Sequence, residues 1–341
     1  MHRAAVLLRR PWVRRSGALV MAVLGIVFLV VPQFRSASHH LGLLSQVHPG
    51  LLTVGVLLEG ASFLAYGLFT RAVLPPEGRP PWHWLVRVDM VGSGLTHVLP
   101  GGGTTASAVR FQMLRKGGVR GTDAAFGSVL QGLGSAIVVN FLLLVGVLVV
   151  LPTRGGNPLY AVGAGVGAVL VTLFVLLCLT FTKGEEHAVR LVRHIGARLD
   201  RGPALERLAR QIAYRLQEVM ADPPLMARAA GWAAANWLLD AGSLWVFLLA
   251  FGHRVDLGSI LVAFGLANTL AVLPVTPGGL GIVEGVLIPS LVGFGTPQGI
   301  AILGVLAWRL FNFWAPIPAG ALSWASIQLG LRRRRPAVST A

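Results

Sequence analysis

Residues 265–281 read Gly265-Leu266-Ala267-Asn268-Thr269-Leu270-Ala271-Val272-Leu273-Pro274-Val275-Thr276-Pro277-Gly278-Gly279-Leu280-Gly281. An earlier segment has the same plan, with its Leu-Pro pair 174 residues before: Gly92-Ser93-Gly94-Leu95-Thr96-His97-Val98-Leu99-Pro100-Gly101-Gly102-Gly103. In both segments an apolar run with a polar insertion reaches Leu-Pro and ends in glycines. Irregular backbone survives in a membrane only where protein or a wet cavity covers it. Such paired interruptions indicate a transporter's binding site.

The composition is that of a membrane protein. Of 341 residues, 54% are hydrophobic and only 12% are charged, and the mean hydropathy is +0.70. Apolar runs long enough to cross a hydrocarbon core of about 30 Å recur along the chain. We predict an all-α polytopic protein with about six full transmembrane helices, at about 17–34, 50–72, 124–151, 158–181, 228–251 and 299–330.

The net charge of +16 is concentrated in four basic clusters that lie between these spans. The clusters are at 3–15, 110–120, 183–215 and 332–335. The positive-inside rule places all four in the cytoplasm, so we expect a multi-pass protein of the inner (cytoplasmic) membrane with both termini cytoplasmic. The charge therefore indicates a lipid bilayer as partner and no nucleic acid.

This topology fixes the side of the membrane on which each broken segment must begin and end. Segment 84–110 must enter and leave on the cytoplasmic side, and segment 258–296 on the outer side. We therefore predict two re-entrant or broken helical hairpins of opposite orientation, arranged as an inverted repeat. The alternative is two ordinary spans in each segment, which gives ten crossings with the same termini.

The predicted organisation is two membrane halves joined by a polar segment. The first half is 1–182 and the second is 224–331, followed by a basic cytoplasmic tail at 332–341. The linker 183–223 repeats apolar residues at helical spacing with arginines between them. A basic amphipathic helix of this kind lies on an anionic leaflet, and a solvated helical linker is the alternative. No soluble domain is expected before or after the membrane region.

Ionisable residues inside spans are functional hypotheses, because a charge there costs roughly 2.5–3.5 kcal/mol on insertion scales. Glu284 follows the second glycine run, where it either serves a site or complements a helix dipole. Arg309 lies too deep in the last span to reach water, so it needs Glu284, Asp240 or Glu59 as partner. Glu59 and Asp240 are central in their spans and either pair with an arginine or relay protons.

Three further polar residues belong to the breaks themselves. Arg110 follows the first glycine run and either binds a lipid phosphate or anchors the helix at the interface. His97 and Asn268 precede the two Leu-Pro pairs and would bond a headgroup or freed carbonyls. Asp89 and Arg87 are expected to be interfacial anchors.

The glycines are expected to shape the backbone, with N–H groups at helix starts available to anions. The candidates are Gly101, Gly102, Gly278, Gly279 and Gly281. The sequence shows no nucleophile elbow, no P-loop and no metal-ligand spacing, so we expect no catalytic residue, no metal and no cofactor.

Three motifs carry a family resemblance. The segment Leu273-Pro274-Val275-Thr276-Pro277-Gly278-Gly279-Leu280-Gly281-Ile282-Val283-Glu284-Gly285 resembles the signature of the lysylphosphatidylglycerol synthase transmembrane, or flippase-like, family. Leu99-Pro100-Gly101-Gly102-Gly103 followed by Arg110 resembles its first-half motif. Arg309 followed by Phe313-Trp314-Ala315-Pro316-Ile317-Pro318-Ala319-Gly320 resembles its closing helix.

The resemblance implies a stand-alone member without the synthase domain. It implies translocation of a phospholipid or lipid-linked headgroup through a polar crevice between inverted halves, without lipid aminoacylation and without enzyme activity. Among the residues above, it carries over to Arg110, Glu284, Arg309 and the glycines at 278, 279 and 281. Two alternatives stay open: an intramembrane transferase on a lipid-linked substrate, and a non-catalytic partner of an envelope-lipid synthase.

Overall fold

The computed structural model describes residues 47–99, 102–154, 221–271 and 276–333, and five residues between 165 and 176. The predicted span 17–34 lies outside these residues, as does nearly all of the span 158–181. The linker 183–223 and the tail 332–341 fall almost entirely outside them as well.

The described chain is helical throughout, which confirms the predicted fold class. In chain order the helices are α1 (Pro49–Val73), α2 (Trp82–Val98), α3 (Gly102–Lys116), α4 (Gly121–Arg154), α5 (Pro223–Ala250), α6 (Leu257–Ala271), a 3₁₀ turn (Pro277–Gly279), α7 (Ile282–Gly293), α8 (Gln298–Arg309), a π-helical turn (Leu310–Trp314) and α9 (Pro316–Arg333). Four stretches are long and apolar enough to cross a membrane: Pro49–Val73, Gly121–Val149, Pro223–Ala250 and Gln298–Gly330. They match four of the predicted spans.

Each broken segment forms two short helices rather than one. Segment 84–110 becomes α2 and α3, and segment 258–296 becomes α6 and α7, with the 3₁₀ turn before α7. At 1.5 Å per residue these helices are about 18 to 26 Å long, which is less than the roughly 30 Å of a hydrocarbon core. Whether the two pairs re-enter on opposite sides as an inverted repeat stays a prediction.

Local sequence sets two of the helix boundaries that matter for the site. Asp222 caps α5, because its carboxylate accepts a hydrogen bond from the Leu225 N–H at 3.0 Å and prolines follow it. Between α8 and α9 the Ala315 N–H donates to the Leu310 carbonyl five residues earlier, at 3.0 Å. Pro316 has no N–H with which to restore the regular α-helical ladder, so the chain takes a π turn there.

Helices from the two halves of the chain pack on one another reciprocally. Helix α2 of the first broken segment lies against α9, and α6 of the second lies against α4. Among the described helices, the most extensive contact is between α1 and α5. A core of buried side chains, including Leu244, Phe247, Phe264, Leu287 and Trp308, fills the space between α4, α5, α6, α7 and α8.

Glycines allow the close approach at these contacts, as is typical of helix pairs in membranes. A Cβ on Gly94 would lie 2.9 Å from the Pro316 carbonyl oxygen, and one on Gly320 would lie 2.6 Å from the Met90 carbonyl oxygen. A Cβ on Gly265 would lie 2.7 Å from that of Leu143. Backbone atoms therefore set how closely α2 and α9 can approach. Unlike a side chain, they cannot rotate away from an added methyl group.

We predict that Gly320→Ala destabilises the protein while Gly330→Ala, in the same helix, does not. The added methyl at 320 meets the Met90 backbone, and overpacking of this kind costs about 1–3 kcal/mol, whereas the space around Gly330 is open. The intrinsic helix preference for alanine acts equally on both. Thermal unfolding in detergent measures the difference. Equal melting temperatures for the two variants would contradict the close α2–α9 contact.

Candidate functional site

A buried ion pair joins the second broken segment to the last span. Arg309 Nε donates to Glu284 Oε1 at 2.5 Å, and both side chains are 4% exposed. The other Glu284 oxygen, Oε2, accepts the backbone N–H of Gly281 at 2.7 Å, at the start of α7. Glu284 thus both completes the N-terminus of α7 and neutralises Arg309. Of the three partners expected for Arg309, Glu284 is the one that binds it.

The backbone around Gly281 can form only because glycines occupy it. Gly278, Gly279 and Gly281 have φ values of 53°, 69° and 83°, in the left-handed region that other residues rarely adopt. Each of these three glycines therefore adopts a backbone conformation that favours glycine, in agreement with the predicted role in backbone geometry. Of the first glycine run, Gly101 lies outside the described residues. A Cβ on Gly102 would lie 2.7 Å from the Leu95 carbonyl oxygen, so α3 begins tightly against α2.

The two broken segments meet beside Arg309. A Cβ on Gly278 would lie 2.5 Å from Cδ2 of His97 and 2.7 Å from Cε2 of Phe313. The His97 ring stacks on the Phe313 ring with centroids 4.5 Å apart, and the Arg309 guanidinium carbon lies 4.5 Å from the same Phe313 centroid. We call this place the junction site and define it by His97, Thr276, Glu284, Arg309 and Phe313.

Three polar atoms of the junction site are shielded from solvent and have no hydrogen-bond partner among the described residues. They are His97 Nδ1, Thr276 Oγ1 and Arg309 Nη2. A buried polar group left unpaired costs about 1–3 kcal/mol, and few such groups persist in a folded protein. Their burial without a described partner gives the site unused capacity to bind a polar ligand, with the guanidinium and the hydroxyl as donors.

A second polar cluster lies next to the junction site and contains Glu59 and Asp240. The Asn312 side-chain amide donates to Glu59 Oε1 at 3.2 Å and to both Asp240 oxygens at 3.1 Å. Trp308 Nε1 donates to Asp240 Oδ1 at 2.7 Å. Neither carboxyl group forms an ion pair with an arginine in the described chain, and Glu59 Oε2 has no partner there. The other alternative for these two residues, proton relay, stays a prediction. We call this group the carboxyl cluster.

Helical periodicity separates the two sites. Residues four apart share a helix face, so Trp308 and Asn312 face the carboxyl cluster while Arg309 and Phe313 face the junction site. The π turn at Leu310–Trp314 lies within this stretch, and single π turns are frequent at functional sites. One turn of the last span therefore touches both clusters.

Arg110 belongs to a third, separate network. Its Nη2 lies 3.2 Å from Asp89 Oδ1 and donates to Thr70 Oγ1 at 2.7 Å. The Gln131 amide donates to Thr70 Oγ1 at 2.8 Å, so the network joins α1, α2, α3 and α4. The expectation that Asp89 is an interfacial anchor is wrong, because its side chain is buried against Arg110. Arg87, in contrast, is only half-buried and bonds Ser326.

Asn268 does not reach the junction site in this structure. Its side-chain amide donates to the Phe264 carbonyl in its own helix, at 2.9 Å.

Sequence reasoning also left out Thr276, Asn312 and Phe313, which lie inside the quoted motifs. Asn312 could have been identified from the sequence, because an amide side chain within an apolar span needs hydrogen-bond partners inside the membrane. The described residues contain no group of three or more His, Cys, Asp or Glu side chains placed to hold a metal ion.

Comparison with known proteins supports the resemblance in the motifs. The family model described as "Lysylphosphatidylglycerol synthase TM region" matches residues 13–320. A "UPF0104 membrane protein" of Methanothermobacter thermautotrophicus is 26% identical over 175 residues, which cover 48% of this chain and 52% of that protein. A second match of that name and organism is 25% identical over 287 residues, covering 80% of this chain and 83% of the relative. The "Inner membrane protein YbhN" of Escherichia coli is 23% identical over 103 residues, covering 30% of this chain and 31% of that protein.

We predict that the Glu284–Arg309 pair shows strong coupling in a double-mutant cycle. Glu284→Gln or Arg309→Gln alone leaves a buried charge unpaired, which costs about 3–5 kcal/mol, whereas the double variant removes both charges and recovers about 1–3 kcal/mol of the summed loss. Denaturant unfolding in mixed micelles measures these free energies. Arg254→Gln, at an exposed arginine, is the control. Strictly additive losses would contradict the pair.

Proposed function

Because this chain belongs to the lysylphosphatidylglycerol synthase transmembrane family, we propose that it moves the headgroup of a phospholipid or lipid-linked substrate across the cytoplasmic membrane through the junction site. The observation that carries the proposal is that three buried polar atoms where the two broken segments meet, His97 Nδ1, Thr276 Oγ1 and Arg309 Nη2, have no hydrogen-bond partner among the described residues. The acyl chains would stay in the bilayer while the headgroup enters the protein.

The chemistry of the junction site suits a phosphate. A guanidinium stays charged at any relevant pH and donates in the fork geometry that phosphate oxygens accept. In the described structure Arg309 uses Nε on Glu284, and its Nη2 is unpartnered. The Thr276 hydroxyl is a second donor. Glu284 thus acts as the internal counterion of Arg309, and a headgroup phosphate would compete with it or bind beside it.

The packing suits alternating access between two halves. The reciprocal contacts, α2 on α9 and α6 on α4, make each broken segment a wall shared by both halves. We propose that these segments are re-entrant hairpins of opposite orientation, with both termini cytoplasmic, and that rocking of the halves exposes the junction site to each side in turn. The chain would act as a facilitator or would use an ion gradient, and the carboxyl cluster is where an ion would couple.

We predict that Thr276→Val lowers headgroup translocation without lowering stability. Valine has nearly the shape of threonine, and the hydroxyl it removes is buried with no partner among the described residues, so no described hydrogen bond is lost. A bound phosphate would lose one donor, for which we expect roughly a fivefold to tenfold lower rate. Thermal unfolding and flux are measured on the same preparation. Loss of stability with unchanged flux would assign Thr276 a structural role.

The proposal is tested by headgroup movement in sealed proteoliposomes. Fluorescent anionic and zwitterionic phospholipids report movement through an outer-leaflet quencher, for the native chain, Arg309→Gln and Glu284→Gln. We expect movement with the native chain and at least about tenfold slower movement in both variants, because Arg309→Gln removes the charge that would bind the phosphate and Glu284→Gln removes the counterion that positions Arg309. Arg254→Gln, an exposed arginine, should match the native chain.

The outcomes separate the proposal from its alternatives. Movement that persists in both variants would contradict the junction site as the binding place. No movement of any lipid by folded protein would contradict phospholipid translocation. Product formation in detergent from a lipid-linked substrate would then favour a transferase, and co-purification with an envelope-lipid synthase would favour a partner role.

A further inference from the structure

A second polar site lies at one end of the helix bundle, away from the junction site. It is a cavity of about 550 Å³ between the C-terminal end of α1 and the N-terminal ends of α4 and α5. Its lining includes Arg228, near the start of α5. Asp240 of the carboxyl cluster follows twelve residues later in the same helix, about 18 Å along its axis. The cavity and the carboxyl cluster therefore lie at different depths.

Three arginines line the cavity: Arg71, Arg79 and Arg228. Arg79 is held in place by its own loop, because it donates from Nη2 to the Leu74 carbonyl at 2.6 Å and from Nε to the Pro75 carbonyl at 3.3 Å. Arg71 and Arg228 form no ion pair among the described residues. Two guanidinium groups thus line a preformed space without an ion-pair partner among the described residues.

The acidic residues of the lining do not cancel this charge directly. The Asp222 carboxylate accepts the Leu225 N–H at the N-terminus of α5, at 3.0 Å. The Asp123 carboxylate accepts Arg120 Nε at 2.8 Å. Glu77 is exposed on the loop after α1 and attracts Arg79. Asp222 and Asp123 keep their negative charges, but among the described residues neither forms an ion pair with Arg71, Arg79 or Arg228.

The arginines also act on one another. Burial first, and then the positive charges of Arg71 and Arg228, lower the pKa of Arg79, which lies in the loop outside the membrane-spanning helices. Arginines this close repel one another even though the lining also holds three carboxylates, and an anion bound between the guanidinium groups relieves the repulsion. The geometry points to an anion of more than one oxygen, since guanidinium groups bind phosphate through pairs of N–H donors.

We propose that this cavity binds the phosphate group of an anionic ligand at the level of the lipid headgroups. Helix ends that carry arginine and tryptophan mark a membrane interface, and Trp232 lines the cavity beside Arg228. Basic pockets between transmembrane helices bind phospholipid headgroups, and the same chemistry also accepts a water-soluble phosphate. Leu68 and Leu225 add apolar wall for the glycerol end of a lipid.

The test is calorimetric titration of the full-length chain in neutral detergent with four probes. These are dihexanoyl phosphatidylglycerol, glycerol 3-phosphate, inorganic phosphate, and dihexanoylglycerol, which lacks the phosphate. Each titration is also run in an Arg309→Gln background, so that the junction site does not contribute. We expect binding of the phospholipid, with about tenfold weaker affinity in Arg71→Gln and in Arg228→Gln and none for dihexanoylglycerol. Arg254→Gln is the matched control, because Arg254 is exposed beyond the opposite end of α5. Thermal unfolding checks that every variant is folded.

The arms of the experiment also identify the source of the phosphate. Competition by glycerol 3-phosphate or inorganic phosphate would mean that a soluble phosphate suffices, and binding of the phospholipid alone would mean a lipid site. Both results support the proposal. Equal affinity in Arg71→Gln, Arg228→Gln and Arg254→Gln would overturn it, as would equal binding of dihexanoylglycerol. Arg309→Gln should keep this binding while losing translocation, so failure of the proposed transport function and failure of this site give different results.

Discussion

The ion pair between Arg309 and Glu284 determines where the other groups of the site can lie. An unpaired charge at this depth would be costly, so Arg309 must keep a counterion, and Glu284 supplies it at 2.5 Å. Glu284 in turn takes the Gly281 N–H, which fixes the start of α7 and the glycine turn before it. That turn brings Gly278 against His97 and Phe313. The contact of the two broken segments thus depends on one buried charge and the residue that balances it.

The last long helix links this pair to the carboxyl cluster. Trp308 and Asn312 hold Asp240, while Arg309, the next residue after Trp308, holds Glu284. Glu59 enters the same cluster from α1, a helix of the first half of the chain. A shift of the π turn between α8 and α9 would move both sets of contacts together. In the proposed transport cycle this stretch is the element through which an ion at the carboxyl cluster would influence the headgroup site.

Hydropathy and charge were enough to predict the helical class and four long helices, because the length of an apolar run is set by the thickness of the bilayer. The broken segments were predictable for the same reason, since proline and glycine in such a run must interrupt a helix. Which carboxylate pairs with each buried arginine was not predictable from the sequence. Arg309 had three candidate carboxylates, and Asp89 was mistaken for an anchor although it binds Arg110. These pairings depend on how helices distant in sequence pack, which a single chain does not encode locally. Thr276 was quoted but not singled out, because its importance lies in a buried hydroxyl that has no partner among the described residues.

The most direct test of the account is an experimental structure in a lipid nanodisc with short-chain phosphatidylglycerol present. The account predicts density for the headgroup at the junction site, with phosphate oxygens within hydrogen-bond distance of Arg309 Nη2 and Thr276 Oγ1. It would be contradicted if those two atoms were bonded to protein groups and the headgroup were bound only elsewhere.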